Sequence, residues 1–81
     1  MAEDLLERID INPHVMLGKP VIRGTRITVE ILLEKLAAGC SMDEILGDYP
    51  RLSREDVLAA VAYAREAIST DEIIPRIQTG R

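Results

Sequence analysis

The apolar positions follow two periods along the chain. Near the N-terminus, Ile9 and Ile11 alternate with Arg8, Asp10 and Asn12. A period of two predicts a short, half-buried strand. From Val29 onward the period becomes helical. Val29, Leu32, Leu33 and Leu36 form a stripe, with Thr28 placed to cap its start and Gly39 to stop it. Ser41-Met42-Asp43-Glu44 reads as a capping box ahead of Met42, Ile45 and Leu46, and Gly47 and Pro50 end that helix early. Ser53 and Asp56 stand in the same relation at the start of a third helix. Its expected buried stripe is Val57, Val61, Ala64 and Ile68, with Leu58 beside it, while Ala59, Ala60 and Ala62 allow close packing. The expected lengths are about ten residues, one to two turns, and about fifteen residues.

Between strand and helices lie breakers. Asn12-Pro13 is a turn and Gly18-Lys19-Pro20 a second one. Gly24-Thr25 then separates Val21-Ile22-Arg23 from Arg26-Ile27. Two forms suit it: a two-residue hairpin turn with Gly24 at the first central position, or a looser loop leading into the first helix. The pattern gives three zones in one domain: an extended segment over 1–28, a trihelical core over 29–68 and a tail over 69–81. The second and third helices, joined across Asp48 to Leu52, have helix-turn-helix order. The fold class is therefore mainly α. It is a small trihelical core of helix-turn-helix order with a short N-terminal β-strand or hairpin. In the tail, Ser69-Thr70-Asp71-Glu72 reads as another cap, followed by Ile73, Ile74 and Ile77 with Pro75 between them. These isoleucines need cover, from the core or from another chain.

Composition narrows the choice. The 81 residues are 47% apolar and 30% charged, a globular balance. With no Trp and no Phe, the core is aliphatic and thin, so a dimer or a partner would help it. One Cys excludes an intramolecular disulfide, and one His with one Cys leaves no conventional zinc site in one chain. No metal or other cofactor is expected. The longest apolar run, Val57 to Ala64, is far below the ~20 residues that span a bilayer. With an acidic start lacking a signal-peptide pattern, it points to the cytoplasm and to no membrane partner.

The net charge is −4, yet no acid lies between Ile11 and Val29, where Lys19, Arg23 and Arg26 sit. In the hairpin form, Arg23 and Arg26 oppose one another, and an anion would relieve them. The same residues also suit ion pairs with the chain's own carboxylates. The third helix would offer Arg51, Ser53 and Arg54 to nucleic acid, with Ser53 both cap and phosphate contact, but Glu55 and Asp56 repel phosphate there. His14, Cys40, Tyr49 and Tyr63 suit structural roles. Asp43 and Glu44 suit a helix start better than a metal site.

Asn12-Pro13, Gly18-Lys19-Pro20, Ile22-Arg23-Gly24-Thr25-Arg26-Ile27, Gly39-Cys40-Ser41, Glu44-Ile45-Leu46 and Asp48-Tyr49-Pro50 together resemble the signature of the domain of unknown function 433 family, over about Ile9 to Ile68. The resemblance implies a helix-turn-helix fold, homeodomain-like or winged-helix-like, and no enzymatic activity. It also implies an antitoxin of a type II toxin–antitoxin pair, often beside a PIN-like nuclease toxin. On that footing Ile73, Ile74, Arg76 and Ile77 are the expected toxin-binding residues, with Arg76 or Arg81 suited to a nuclease's acidic cluster. DNA is a second expected partner, through Lys19, Arg23, Arg26, Arg51, Ser53 and Arg54, and it calls for a homodimer. The alternatives are a stand-alone dimeric DNA-binding regulator and a non-catalytic homodimeric assembly module.

Overall fold

The computed structural model describes residues 4–70. In chain order they form β1 (Ile9–Asp10), β2 (Val21–Ile22), α1 (Val29–Ala37), α2 (Met42–Asp48) and α3 (Arg54–Thr70), with 3₁₀ turns at Leu5–Arg8 and Met16–Gly18. Three helices and one antiparallel two-stranded pair make a mainly helical fold. β1 and β2 pair with Ile9 opposite Ile22 and Asp10 opposite Val21.

The helix starts form as their side chains dictate. Thr28 Oγ1 accepts from the Ile31 amide at 3.1 Å. At α2, Glu44 accepts from the Ser41 amide at 2.7 Å while Ser41 accepts from the Glu44 amide at 3.1 Å. At α3, Asp56 accepts from the Ser53 amide at 2.9 Å and Ser53 from the Asp56 amide at 3.3 Å. Each cap satisfies amides that the helix itself leaves unpaired. Gly39, at φ +94°, takes the left-handed conformation that ends α1.

The core is Ile22, Val29, Leu32, Ile45, Leu52, Val57 and Ala60, with Ile9, Cys40, Tyr49 and Tyr63 among its partly buried neighbours. α3 packs on α1 and on the Leu5–Arg8 turn. That turn, which the hydrophobic pattern did not announce, is capped by Asp4 and pinned by Arg8, whose Nη1 donates to Asp56 at 3.0 Å. Asp56 thus closes the helix start with one oxygen and holds the N-terminal segment with the other. Asp56→Ala is expected to lower stability by about 2 kcal/mol. In a domain this small that is a fall in Tm of roughly 10 °C, read by thermal circular dichroism.

α1 and α2 are tied by Lys35, which donates to Asp48 at 3.0 Å and stands 5.6 Å from the Tyr49 ring centroid. The hydrogen bond and charge of Asp48 raise the Lys35 pKa above its ordinary 10.5. The contribution of this pair is complete below that value and is lost as pH rises past the raised one.

Three expectations change. The strand stops at Asp10, leaving Ile11 exposed, because the Asn12 side chain accepts from the His14 amide at 2.8 Å and turns the chain. Ser69 and Thr70 extend α3, with the Ser69 hydroxyl donating to the Glu66 carbonyl, and Asp71 and Glu72 of the expected cap lie outside the described residues. The buried face of α3 is also rotated from the expected stripe. Ala59 and Ala60 are fully buried beside Val57, whereas Val61 is 43% and Ile68 51% exposed, and Leu58 lies outside as well. The alanines win because α3 is held between α1 and the N-terminal turn. Small side chains let those backbones approach, and burying them costs almost no rotamer entropy.

Candidate functional site

The basic segment is organised by one turn. The Thr25 amide and hydroxyl both donate to the Ile22 carbonyl, at 2.9 and 2.8 Å, and the Ile27 amide donates to Thr25 Oγ1 at 3.0 Å. Arg23 and Gly24 are therefore the central residues, and Gly24 occupies the second central position at φ +79°. The hairpin form with Gly24 first and Thr25 second does not occur. A left-handed second central residue selects glycine, as in a type II turn. The chain then returns alongside β2, with Val21 bridged to Thr28, and enters α1.

This geometry separates the expected cations. Lys19 Nζ donates to Glu30 at 2.9 Å, in a hollow it shares with Glu34, Met16 and Leu17. Arg23 Nε donates to Asp10 across the strand pair at 3.2 Å. Both pairs are solvent-exposed. Arg26 makes no hydrogen bond or ion pair among the described residues. In place of Lys19, Arg51 joins the corner from 25 residues past Arg26 in the chain: its guanidinium donates to the Gly24 carbonyl at 3.2 Å. Tyr49-Pro50-Arg51-Leu52 forms a tight turn, closed by the Leu52 amide on the Tyr49 carbonyl at 2.9 Å. Pro50 suits its first central position, and buried Leu52 anchors it to the core.

The result is an open cleft of about 450 Å³, lined by Asp10, Asn12, Val15, Val21, Gly24, Thr25, Arg26 and Arg51. Of the expected anion-binding residues, Arg26 and Arg51 line it and Arg23 stands at its edge through Asp10. Asp10, Asn12 and Thr25 are additions. Asn12 and Thr25 belong to the turn-forming motifs of the sequence, but their joint position follows from the strand pairing.

The start of α3 is different. The Ser53 amide and hydroxyl are engaged with Asp56, and Asp56 also holds Arg8. The Ser53 amide that a phosphate would use already meets a carboxylate, and the Ser53 hydroxyl oxygen accepts from the Asp56 amide. Arg54 is exposed beside an exposed Glu55. The helix start therefore does not join the corner as an anion site. Ile73, Ile74, Arg76 and Ile77 lie outside the described residues.

A second surface is apolar. Pro20, Val29, Leu33, Tyr63, Ala64, Ala67 and Ile68 line a groove between α1 and α3. Glu30 borders both this groove and the hollow holding Met16 and Leu17. Leu17 is 94% exposed. It and Met16 are held at φ +58° and +50°, the two non-glycine left-handed residues among those described. That conformation costs an ordinary side chain roughly 1–2 kcal/mol.

Comparison with known proteins places the chain. The family model described as "Protein of unknown function (DUF433)" matches residues 9–64. The chain belongs to the DUF433 family. A crystal structure of a DUF433 member from Anabaena variabilis is similar, with a TM-score of 0.73 and 31% sequence identity over 86% of this chain and 80% of that one. An uncharacterized protein, y4eO, of Sinorhizobium fredii is 36% identical over 58 residues. That stretch is 72% of this chain but 26% of y4eO, so the DUF433 chain spans about a quarter of that relative's length. Both DUF433 motifs around Gly18 and Gly24 fall inside the matched region, and both serve turns. Among the described residues of this DUF433 chain, no helix is long and apolar enough to cross a membrane.

Proposed function

We propose that the protein is a non-catalytic binding module of the cytoplasm, acting as the antitoxin of a type II toxin–antitoxin pair. In this reading it holds and neutralises a PIN-like nuclease toxin and represses its own operon. One observation carries the protein-binding part. Leu17 stands almost fully in solvent on two successive left-handed non-glycine residues, in a hollow that shares Glu30 with the apolar groove between α1 and α3. Backbone strain that presents an apolar side chain to water has no return among the described residues, and a partner that buries it supplies one. The tail residues Ile73, Ile74, Arg76 and Ile77 would extend the same contact. The choice of a toxin as partner rests on the family resemblance.

The test is a tagged pull-down from the source cell, divided into nuclease-treated and untreated halves. A stoichiometric small protein is expected in both. When expressed alone it should arrest growth, and co-expression of this chain should relieve the arrest. Recovery of DNA alone, lost at moderate salt, would replace this reading with a stand-alone dimeric regulator. That second reading draws on Arg26 and Arg51, neither of which forms an ion pair among the described residues. Recovery of neither would leave a self-associating module.

A further inference from the structure

The cleft beside Gly24 combines features that a bare phosphate contact does not need. Its two cations differ from the other basic residues of the segment. Lys19 and Arg23 are each matched by a carboxylate, Glu30 and Asp10. Arg51 is directed by a neutral carbonyl and forms no ion pair among the described residues. Arg26 has no partner among the described residues. The cleft is therefore lined by two arginines, and guanidinium forks match phosphate oxygens in shape and charge.

The rest of the lining is of another kind. One Asp10 oxygen receives Arg23 Nε, and the other is left as an acceptor for hydroxyl or amino groups. The Asn12 carbonyl oxygen is taken by the His14 amide, so its NH₂ group is the uncommitted end. Val15 and Val21 add apolar lining. A cleft of about 450 Å³ is large for a lone phosphate and lies within the usual range of roughly 300–1,000 Å³ for small-molecule sites.

From this division we infer that the cleft binds a nucleoside phosphate. Arg26 and Arg51 take the phosphate, Asp10 and Asn12 meet sugar hydroxyls and base edges, and Val15 lies under the apolar part. The ligand is a free mononucleotide or the end of a single strand, which share this chemistry. The inference stands apart from toxin binding. It uses the same corner as the DNA-binding reading and narrows it, since a lined cleft selects one nucleotide where duplex binding needs only a row of phosphates.

The experiment is titration calorimetry on the full chain with the four ribonucleoside 5′-monophosphates, inorganic phosphate, a 5′-phosphorylated single-stranded 12-mer and a 12-base-pair duplex. At least one mononucleotide is expected to bind, at least tenfold more tightly than inorganic phosphate. Arg26→Ala and Arg51→Lys are each expected to weaken that binding about tenfold or more. Arg26→Ala removes no hydrogen bond or ion pair seen among the described residues, so a folded variant is available whatever Arg51→Lys does to the turn. A mononucleotide that binds alone identifies the free ligand, and equal binding of the 12-mer identifies the strand end. Duplex binding without mononucleotide binding overturns the inference and keeps the DNA-binding reading. No binding of any probe overturns both. Nucleotide binding unchanged by Arg26→Ala, or no tighter than inorganic phosphate, removes the cleft from the account.

Discussion

Leu32→Ala is expected to remove a large share of the domain's stability and to move its urea midpoint far down. Leu32 lies in the middle of α1 with 0% exposure, in a core shared with Ile22, Ile45, Leu52 and Val57. Truncating such a leucine costs about 3–5 kcal/mol, from lost transfer energy and the cavity left behind. At about 0.05–0.15 kcal/mol per residue, a domain of this size has only some 4–12 kcal/mol in total. The buried core is also aliphatic, with Tyr49 and Tyr63 at its partly buried edge. Urea denaturation followed by circular dichroism checks it. Val61→Ala, at a 43% exposed position, should move the midpoint little. A mild effect of Leu32→Ala together with a large one of Val61→Ala would mean that α3 turns its other face inward.

Leu17→Asn is expected to move stability and partner binding in opposite directions. Asparagine tolerates the left-handed conformation better than leucine, so the free protein should gain about 0.5–1 kcal/mol. If Leu17 is buried by a partner, binding should weaken about 10- to 100-fold, the worth of burying one leucine side chain. Tm and the dissociation constant of the captured complex read the two effects separately. Ile68→Asp, on the groove side of α3, should reproduce the loss of binding without the gain in stability. Unchanged affinity in both variants would detach the proposed function from this surface.

The contrast between Leu17 and Leu32 shows which parts of a sequence speak for themselves. Leu32 belongs to a period that repeats every turn, and its burial follows from that repetition. Leu17 sits among breakers, where side-chain pattern carries no direction. Its exposure is set by dihedral angles at Met16 and Leu17 that ordinary residues avoid.

Local chemistry was enough for much of the fold. The three helix starts, the stop at Gly39, the short α2 and the mainly helical class all follow from side chains acting within a few residues of themselves. The motifs around Gly18 and Gly24 were enough for the family. The tertiary structure decided the rest, because the deciding interactions join residues far apart in the chain. Which face of α3 is buried depends on its being held between α1 and the Leu5–Arg8 turn, a packing that rewards small alanines over larger valine and isoleucine. Which cations share a site depends on Arg51 reaching the Gly24 carbonyl and on Lys19 turning away to Glu30. A charge count along the chain sees one basic segment; distance in space divides it into two ion pairs and an open cleft.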